Sequence, residues 1–246
     1  MQSNKDIDLT IIKTKQESRK IGLMKFGAKS HMEAFYNNGE IYFNTFSYFK
    51  NLEISEDGRA DKYEYLSEHY SGDGLKDISL ELNNIDNKPI KISQESGLES
   101  VSIDINNKKY THIFCMSYID VLWTEQHRKI IDERNFAKNK DYVVLIYDIA
   151  KFSKLLSDTL IKNKWKVGYG YIKYVDRNNF SGKMGCFKKF NEYAYQNEWR
   201  LAINCGKEEK SFSLNIGSLE GIAFPPMTKE EFFSIPFKIV EQDINL

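Results

Sequence analysis

Residues 193–203 read YAYQNEWRLAI, a polar and aromatic start followed by an apolar run. The apolar run predicts a strand that enters the core. Because residues two apart on a strand point to the same face, we expect Gln196 and Glu198 to share one face of a sheet. Two interpretations stay open for this pair. One is a solvated start of the strand, with Glu198 paired to Arg200 or a nearby lysine for about 0–1 kcal/mol. The other is a site that handles a nucleotide.

The composition is that of a globular chain with ample material for a core. Of the 246 residues, 41% are apolar and 14% aromatic, and 35 basic residues balance 35 acidic ones. The zero formal charge argues against a dominant nonspecific binding of polyanions. The widely spaced Cys115, Cys186 and Cys205 and the polar N-terminus predict a cytoplasmic location. No segment approaches a membrane-spanning length, so we expect no membrane partner.

The alternation of short apolar and polar segments predicts the fold class. Residues 20–246 are expected to form a single α+β domain with mixed, mostly antiparallel sheets and flanking helices. Residues 1–19 are polar, with one short apolar patch, and predict an N-terminal arm or an edge strand. Residues 54–74 are charged and lack a clear period, which predicts a long loop. No internal repeat or proline-rich linker divides the chain.

Two helices have clear signals in the sequence. Ser30 and Glu33 have the spacing of a capping box at the start of a helix, and Gly39 is placed to end that helix in the left-handed conformation. Residues 149–163 predict an amphipathic helix. Its apolar face carries Ile149, Phe152, Leu155, Leu156 and Leu160.

The motifs of several common enzyme classes are absent from the sequence. There is no glycine-rich dinucleotide or phosphate loop and no nucleophile elbow. The four histidines never fall at a metal-ligand spacing, so no metal cofactor is expected. A Cys–His nucleophilic pair stays open, and Cys115, inside an apolar strand, is expected to be buried and structural.

Four segments follow one another in an order that resembles a family of uncharacterised bacterial and phage proteins. They are a strand–helix–strand unit at 24–50, the strand THIFCMSY at 111–118, the Tyr-rich VGYGYIKYVD at 167–176, and FKKFNEYAYQNEWRL at 187–201. Members of that family end in a Tyr-x-x-Glu-x-Glu-Trp-Arg-like motif. In this chain the ending is Gln196-Asn197-Glu198-Trp199-Arg200, with glutamine in place of the first glutamate.

At longer range the same order is similar to the ADP-ribosyltransferase superfamily. There, successive strands supply a basic residue, a serine motif and a [Gln/Glu]-x-Glu motif. The resemblance implies a split β cleft that binds NAD as a substrate, with Lys25 and Ser117 facing the NAD and Gln196-x-Glu198 as the third motif. It also implies aromatic side chains that stack on nicotinamide, for which the candidates are Tyr42, Phe46 and Tyr48.

The chemistry gives each of these groups a role. Cleavage of the NAD glycosidic bond passes through an oxocarbenium-like state. Glu198 would hold a ribose hydroxyl and stabilise the developing positive charge, and Gln196 would orient the nucleophile. Further candidates for substrate contact are Arg59 and Asp61 in the predicted loop, together with Arg200. Glu64, in the same loop, is expected to bind substrate or to form a local ion pair.

The implied function is transfer of ADP-ribose to a macromolecular acceptor, a protein amide or a nucleobase, in phage–host conflict. Two alternatives stay open. A non-catalytic nucleotide- or protein-binding module of the same fold would explain a first motif with Lys25 in place of Arg or His and a shortened motif at Ser117. A metal-independent nuclease or phosphotransferase would use basic loop residues such as Arg59. The sequence leaves the acceptor and the oligomeric state undetermined.

Overall fold

The structure is a computed structural model, and the residues it describes are 9–13, 20–51, 63–64, 66–76, 78, 80–83, 89–93, 95, 97–103, 111–120, 136, 140–163, 165–205, 210–235 and 237–241. Its helices are α1 (Lys29–Asn38), α2 (Phe46–Asn51), α3 (Ile149–Lys162) and α4 (Lys229–Ser234), with 3₁₀ turns at Gly72–Leu75, Gly185–Phe187 and Asn191–Gln196. Within these described residues, none of the helices has the length and apolar content that crossing a bilayer requires.

The strands, in chain order, are β1 (Leu9–Lys13), β2 (Lys20–Gly27), β3 (Glu40–Thr45), β4 (Glu68–Ser71), β5 (Leu80–Asn83), β6 (Pro89–Ile92), β7 (Ser100–Ile103), β8 (His112–Asp120), β9 (Tyr142–Ile146), β10 (Lys166–Tyr171), β11 (Lys173–Val175), β12 (Gly182–Lys183), β13 (Lys188–Phe190), β14 (Glu198–Asn204), β15 (Phe212–Asn215), β16 (Met227–Thr228) and β17 (Phe237–Glu241).

The largest sheet has the order β10-β14-β8-β2-β9-β16, and β3 joins it beside β8 and carries β15 on its other side. A smaller sheet has the order β12-β4-β7. The pairings described are antiparallel except β1 with β17 and β11 with β13, which are parallel. The predicted α+β class with mostly antiparallel sheets is therefore confirmed.

One face of the large sheet packs against α1 and α3. Phe35 of α1 and Phe152 of α3 are buried in the same cluster as Leu201 of β14. α3 buries Phe152, Leu156 and Leu160, as its amphipathic pattern predicts, and the Asp148 side chain caps its start by accepting from the Lys151 backbone N–H at 2.9 Å. Each such buried apolar side chain contributes about 1.5–3 kcal/mol relative to an exposed one.

α1 begins earlier than its sequence signal predicts. Ala28 is the N-cap residue, and no side chain caps the helix, so the capping box predicted from Ser30 and Glu33 is wrong. Ser30 already lies in the first turn, and the Glu33 carboxylate instead lies 3.9 Å from the Lys29 ammonium. Gly39 ends α1 at φ 60°, as predicted, and a Cβ there would collide with the carbonyl oxygen of Gly217.

Part of the predicted N-terminal arm is a strand. Leu9–Lys13 forms β1 and pairs in parallel with β17, near the other end of the chain. This pairing agrees with the edge-strand alternative for residues 1–19. The rest of that arm lies outside the described residues.

The predicted loop at 54–74 is wrong at its C-terminal end. Glu68–Ser71 forms β4, which lies between β7 and β12. His69 and Ser71 are buried, whereas Glu68 and Tyr70 are half-buried, which is the period of a strand. The polar composition concealed this alternation because the buried members are themselves polar.

Candidate functional site

Strand β14 carries the main candidate residues and lies between β8 and β10. In the pairing with β8, Glu198 lies opposite Ser117, and Arg200 lies opposite Cys115. Directly opposed residues on neighbouring strands point to the same face of a sheet. These four side chains therefore share one face, and the opposite face of β14 packs on α1 and α3.

Gln196 and Glu198 do not lie on one strand. Gln196 ends the 3₁₀ turn Asn191–Gln196, Asn197 is left-handed at φ 42°, and β14 begins at Glu198. The prediction that they share the face of a strand is therefore wrong. The turn nevertheless brings both to one cation, because Lys189 Nζ lies 2.8 Å from Gln196 Oε1 and 2.8 Å from Glu198 Oε2.

Arg200 is completely buried and all its donors are engaged. Nε donates to Glu198 Oε1 at 2.8 Å, and Nη2 contacts the same oxygen at 2.7 Å. Nη1 donates to Glu64 Oε1 and to the carbonyl oxygen of Cys186, each at 2.7 Å, and Nη2 also donates to Glu64 Oε2 at 3.1 Å. A guanidinium has five N–H donors, so this arrangement leaves none for the substrate contact predicted for Arg200.

Lys189 and Glu64 complete a buried ion network. Lys189 Nζ lies 3.5 Å from Glu64 Oε2, and the two side chains are 6% and 3% exposed. We call Glu64, Lys189, Glu198 and Arg200 the charge cluster. It contains two cations and two carboxylates, so its net charge is zero. Its members come from the turn before β4, from β13 and from β14, so it joins parts of the chain that are distant in sequence.

The charge cluster sets the protonation of its neighbours. Burial alone would raise the pKa of the Glu198 carboxyl, but the charges of Arg200 and Lys189 outweigh burial and lower that pKa to about 2. Burial, and then the charge of Glu198, raise the pKa of the Cys115 thiol. The same two causes raise the pKa of Tyr174, whose hydroxyl oxygen accepts the Glu198 backbone N–H at 2.9 Å. At neutral pH Glu198 is therefore ionised, and Cys115 and Tyr174 are protonated.

Ser117 lies beside the carboxylate that the resemblance assigns to catalysis. It is half-buried and directly opposite Glu198 on β8. The next residue, Tyr118, donates its backbone N–H to the Asn197 carbonyl oxygen at 2.7 Å. This bond ties β8 to the turn that precedes Glu198, so the structure brings two of the predicted site residues together.

Lys25 points to the other face of the sheet. Met24, not Lys25, lies opposite Ser117 in the pairing of β2 with β8, and successive residues of a strand alternate between faces. Lys25 Nζ donates to the Cys115 carbonyl oxygen at 2.7 Å and lies 4.3 Å from the centre of the Phe114 ring. Along β8, the pairing with β3 lies before Cys115 and the pairing with β2 lies after it. Lys25 therefore donates to a carbonyl oxygen that lies between the two pairings. Lys25 and Ser117 therefore point to opposite faces of the sheet.

The three predicted aromatic residues do not form one stacking site. Phe46 is buried, and the centre of its ring lies 5.8 Å from Arg200 Cζ. Tyr42 is 53% exposed and donates its hydroxyl to Ser211 Oγ at 2.7 Å. Tyr48 is also exposed and meets the Phe49 ring edge-on. Phe46 therefore packs against the charge cluster, whereas the described contacts of the two tyrosines lie elsewhere.

The remaining loop candidates, Arg59 and Asp61, lie outside the described residues. The nuclease or phosphotransferase alternative depends on Arg59, so its basis also lies outside the described residues.

Lys189 is a member of the candidate site that the sequence did not indicate. Its partners depend on tertiary structure, so no local signal in the sequence identifies it.

An open cleft of about 400 Å³ lies where the β4–β7 sheet approaches the Asn191–Gln196 turn. Its lining residues are Glu99, Ser100, Asp176, Arg177, Asn178, Asn191 and Glu192. In this cleft the pyrophosphate of NAD would face three carboxylates and one guanidinium. Because like charges repel, we do not assign this cleft to NAD. Among the described residues, no group of three or more His, Cys, Asp or Glu side chains could hold a metal ion.

Comparison of the chain with protein-family models, with curated proteins and with solved structures finds no match. The fold and the site thus define an α+β protein with mostly antiparallel sheets and a buried, charge-neutral cluster where its sheets meet.

Proposed function

We propose that this chain is an ADP-ribosyltransferase-like enzyme that cleaves NAD and transfers ADP-ribose to a macromolecular acceptor. One observation supports the proposal. The strands that carry the three predicted motifs, β2, β8 and β14, lie side by side in one sheet, and Ser117 stands directly opposite Glu198. They are separated by long stretches of sequence, so their adjacency does not follow from chain order.

The charge state of Glu198 suits this role. An ionised carboxylate stabilises the positive charge that develops on the ribose as the glycosidic bond breaks. Arg200 holds Oε1 through two contacts and fixes the orientation of the carboxylate. Lys189 occupies Oε2, so a ribose hydroxyl would replace Lys189 Nζ at that oxygen. Lys189 would keep its bond to Gln196 while the cluster opens on one side.

A second candidate function is favoured because the charge cluster is closed to solvent. Glu198 is 5% exposed, both its oxygens are occupied, and Lys25 lies on the other face of the sheet. In this alternative the cluster is a structural joint between sheets. The chain would then bind a nucleotide or a protein partner without chemistry.

One experiment separates the two candidates. Purified protein is incubated with NAD labelled on the adenylate and with a cell lysate, and nicotinamide release is measured in parallel. Wild type is compared with Glu198→Gln and with Glu64→Gln. The two variants each remove one carboxylate charge from the same cluster, so Glu64→Gln is a matched control for lost stability. Thermal unfolding of all three proteins gives the folded fraction in the assay.

The enzyme proposal expects label on protein or nucleic acid with wild type and with folded Glu64→Gln, and none with Glu198→Gln. Protease and nuclease treatment of the labelled product then identifies the class of acceptor. If wild type neither moves label nor releases nicotinamide, the enzyme proposal fails and the binding module is favoured. If turnover in both variants falls only as far as their folded fractions, Glu198 is structural.

A further inference from the structure

The ring of His112, away from the charge cluster, is held in one tautomer. His112 is completely buried, and its Nε2 lies 2.9 Å from the carbonyl oxygen of Lys210. A carbonyl oxygen only accepts hydrogen bonds, so Nε2 carries the proton of the neutral ring, and Nδ1 keeps its lone pair. The Phe212 ring meets the imidazole edge-on at 5.2 Å and holds its plane.

Two donors face the Nδ1 lone pair. The Thr111 hydroxyl oxygen lies 2.8 Å from it, and the Cys205 Sγ lies 3.8 Å from it. The Thr111 hydroxyl has a second acceptor, the carbonyl oxygen of Ile203 at 3.5 Å. When the hydroxyl turns toward Ile203, Nδ1 becomes available to take the thiol proton.

The other two cysteines lack this combination of access and a base. Cys186 is 4% exposed and packs in an apolar cluster with Phe46 and Ala202. Cys115 is partly exposed, but its neighbour in the charge cluster is the carboxylate of Glu198 and not an imidazole, and burial followed by the charge of Glu198 raises the pKa of its thiol. Cys205 is partly exposed and stands next to an oriented imidazole. Reactive cysteines occur in such settings, whereas structural buried ones are inert.

We propose that Cys205 is a modification site that reacts with low-molecular-weight disulfides, with His112 as its base. The Cys205 thiol gives its proton to His112 Nδ1, and the thiolate attacks one sulfur of the disulfide. A new S–S bond forms at Cys205 as the reagent's S–S bond breaks. The departing thiolate takes the proton back from the imidazolium, so one disulfide and one thiol are present before and after the step.

This site is independent of the proposed enzyme activity, because Cys205 and His112 take no part in the charge cluster. The test measures the rate of modification at each cysteine at neutral pH by mass spectrometry, with iodoacetamide as a probe of the thiol and oxidised glutathione as the disulfide. The proteins are wild type, His112→Gln, Thr111→Val and Thr111→Ser. Glutamine keeps a donor for the Lys210 carbonyl but cannot take the thiol proton.

We expect Cys205 to react about tenfold faster in wild type than in His112→Gln, since an unassisted thiol is ionised only to a few per cent at neutral pH. Thr111→Val removes the competing hydroxyl and should increase the rate, whereas Thr111→Ser should leave it unchanged. Continued protection of the buried Cys186 shows that a variant is folded. If His112→Gln fails that check, the two Thr111 variants decide.

Equal rates in wild type and folded His112→Gln would overturn the proposal. The proposal would also be overturned if Cys205 reacted no faster than cysteine in a short unstructured peptide. If His112→Gln does not fold, equal rates in Thr111→Val and Thr111→Ser would overturn it.

Discussion

The two faces of β14 are both buried, but by different means. One face carries Glu198 and Arg200, at 5% and 0% exposure, and the other carries Trp199, Leu201 and Ile203, at 3%, 0% and 0%. The apolar face needs only close contact with α1 and α3. The charged face needs an acceptor for every donor, and Arg200 has five.

This difference determines how each face responds to substitution. Removing methyl groups from the apolar face loses contacts in proportion to the volume removed. Removing one member of the charge cluster leaves a whole charge buried without compensation, which costs more than the pair contributes. A substitution of similar size should therefore be more harmful on the charged face.

The largest effect is expected for Arg200→Met. This change leaves the carboxylates of Glu64 and Glu198 with Lys189 as their one cation in the cluster. We expect the free energy of unfolding to fall by about 3–5 kcal/mol, measured by urea denaturation.

The double variant Glu64→Gln/Arg200→Met is the control for this prediction. It leaves Lys189 paired with Glu198, so the cluster is neutral again, and the double variant should be more stable than Arg200→Met alone. A double variant that is less stable than either single variant would contradict a cluster governed by charge balance.

The next effect is expected on the apolar face, for Leu201→Ala. Leu201 is completely buried between β8 and β10, so the truncation leaves a cavity. The free energy of unfolding should fall by about 3 kcal/mol in the same urea measurement. Leu201→Met keeps the volume and should cost less than about 1.5 kcal/mol. Equal losses for alanine and methionine would show that packing does not govern this face.

The charged face should also respond to acid. The pKa of Glu198 in the folded state, about 2, lies below its ordinary value of 4.5, so its contribution is present above pH 4.5 and is lost as the pH falls toward 2. We expect this contribution to be on the order of 3 kcal/mol. Urea denaturation at a series of acidic pH values should show a shallower loss in Glu198→Gln than in wild type. Parallel profiles for the two proteins would contradict the lowered pKa.

The smallest effect is expected for an exposed ion pair. Lys154 and Asp158 on α3 lie 3.0 Å apart, like the pairs in the cluster, but their side chains are 74% and 55% exposed. Lys154→Ala should change the free energy of unfolding by about 0.5 kcal/mol or less, and by less still at high salt. A loss comparable to that of Arg200→Met would mean that burial is not what makes the charge cluster sensitive.

The features that local sequence patterns predict and those that they miss differ in their physical origin. The amphipathic α3, the apolar β14 and the predominance of antiparallel pairing depend on periods of 3.6 and 2, and these periods can be read locally. The predictions of a capping box at Ser30 and of a loop across Glu68–Ser71 are wrong. A helix can begin without a side-chain cap, and a strand that buries His69 and Ser71 does not show an apolar alternation.

The candidate site was predicted only in part, because some of its residues follow from local patterns and others depend on tertiary structure. The sequence indicated Glu198, Gln196 and Ser117, and the structure places Ser117 opposite Glu198, with Lys189 between Gln196 and Glu198. It did not indicate Lys189. The sequence also did not indicate that Lys25 and Ser117 lie on opposite faces of the sheet, because the register between two strands depends on the whole sheet and not on either strand.

The sequence by itself determined the class of fold, the amphipathic helix and the apolar strand that follows Gln-x-Glu, because each depends on neighbours within a few residues. Only the tertiary structure decided that Glu198 and Arg200 are buried with Glu64 and Lys189. The physical reason is that a charge enters the interior only where its counter-charges meet it. Those counter-charges come from β13 and from the turn before β4, at positions that no local pattern connects.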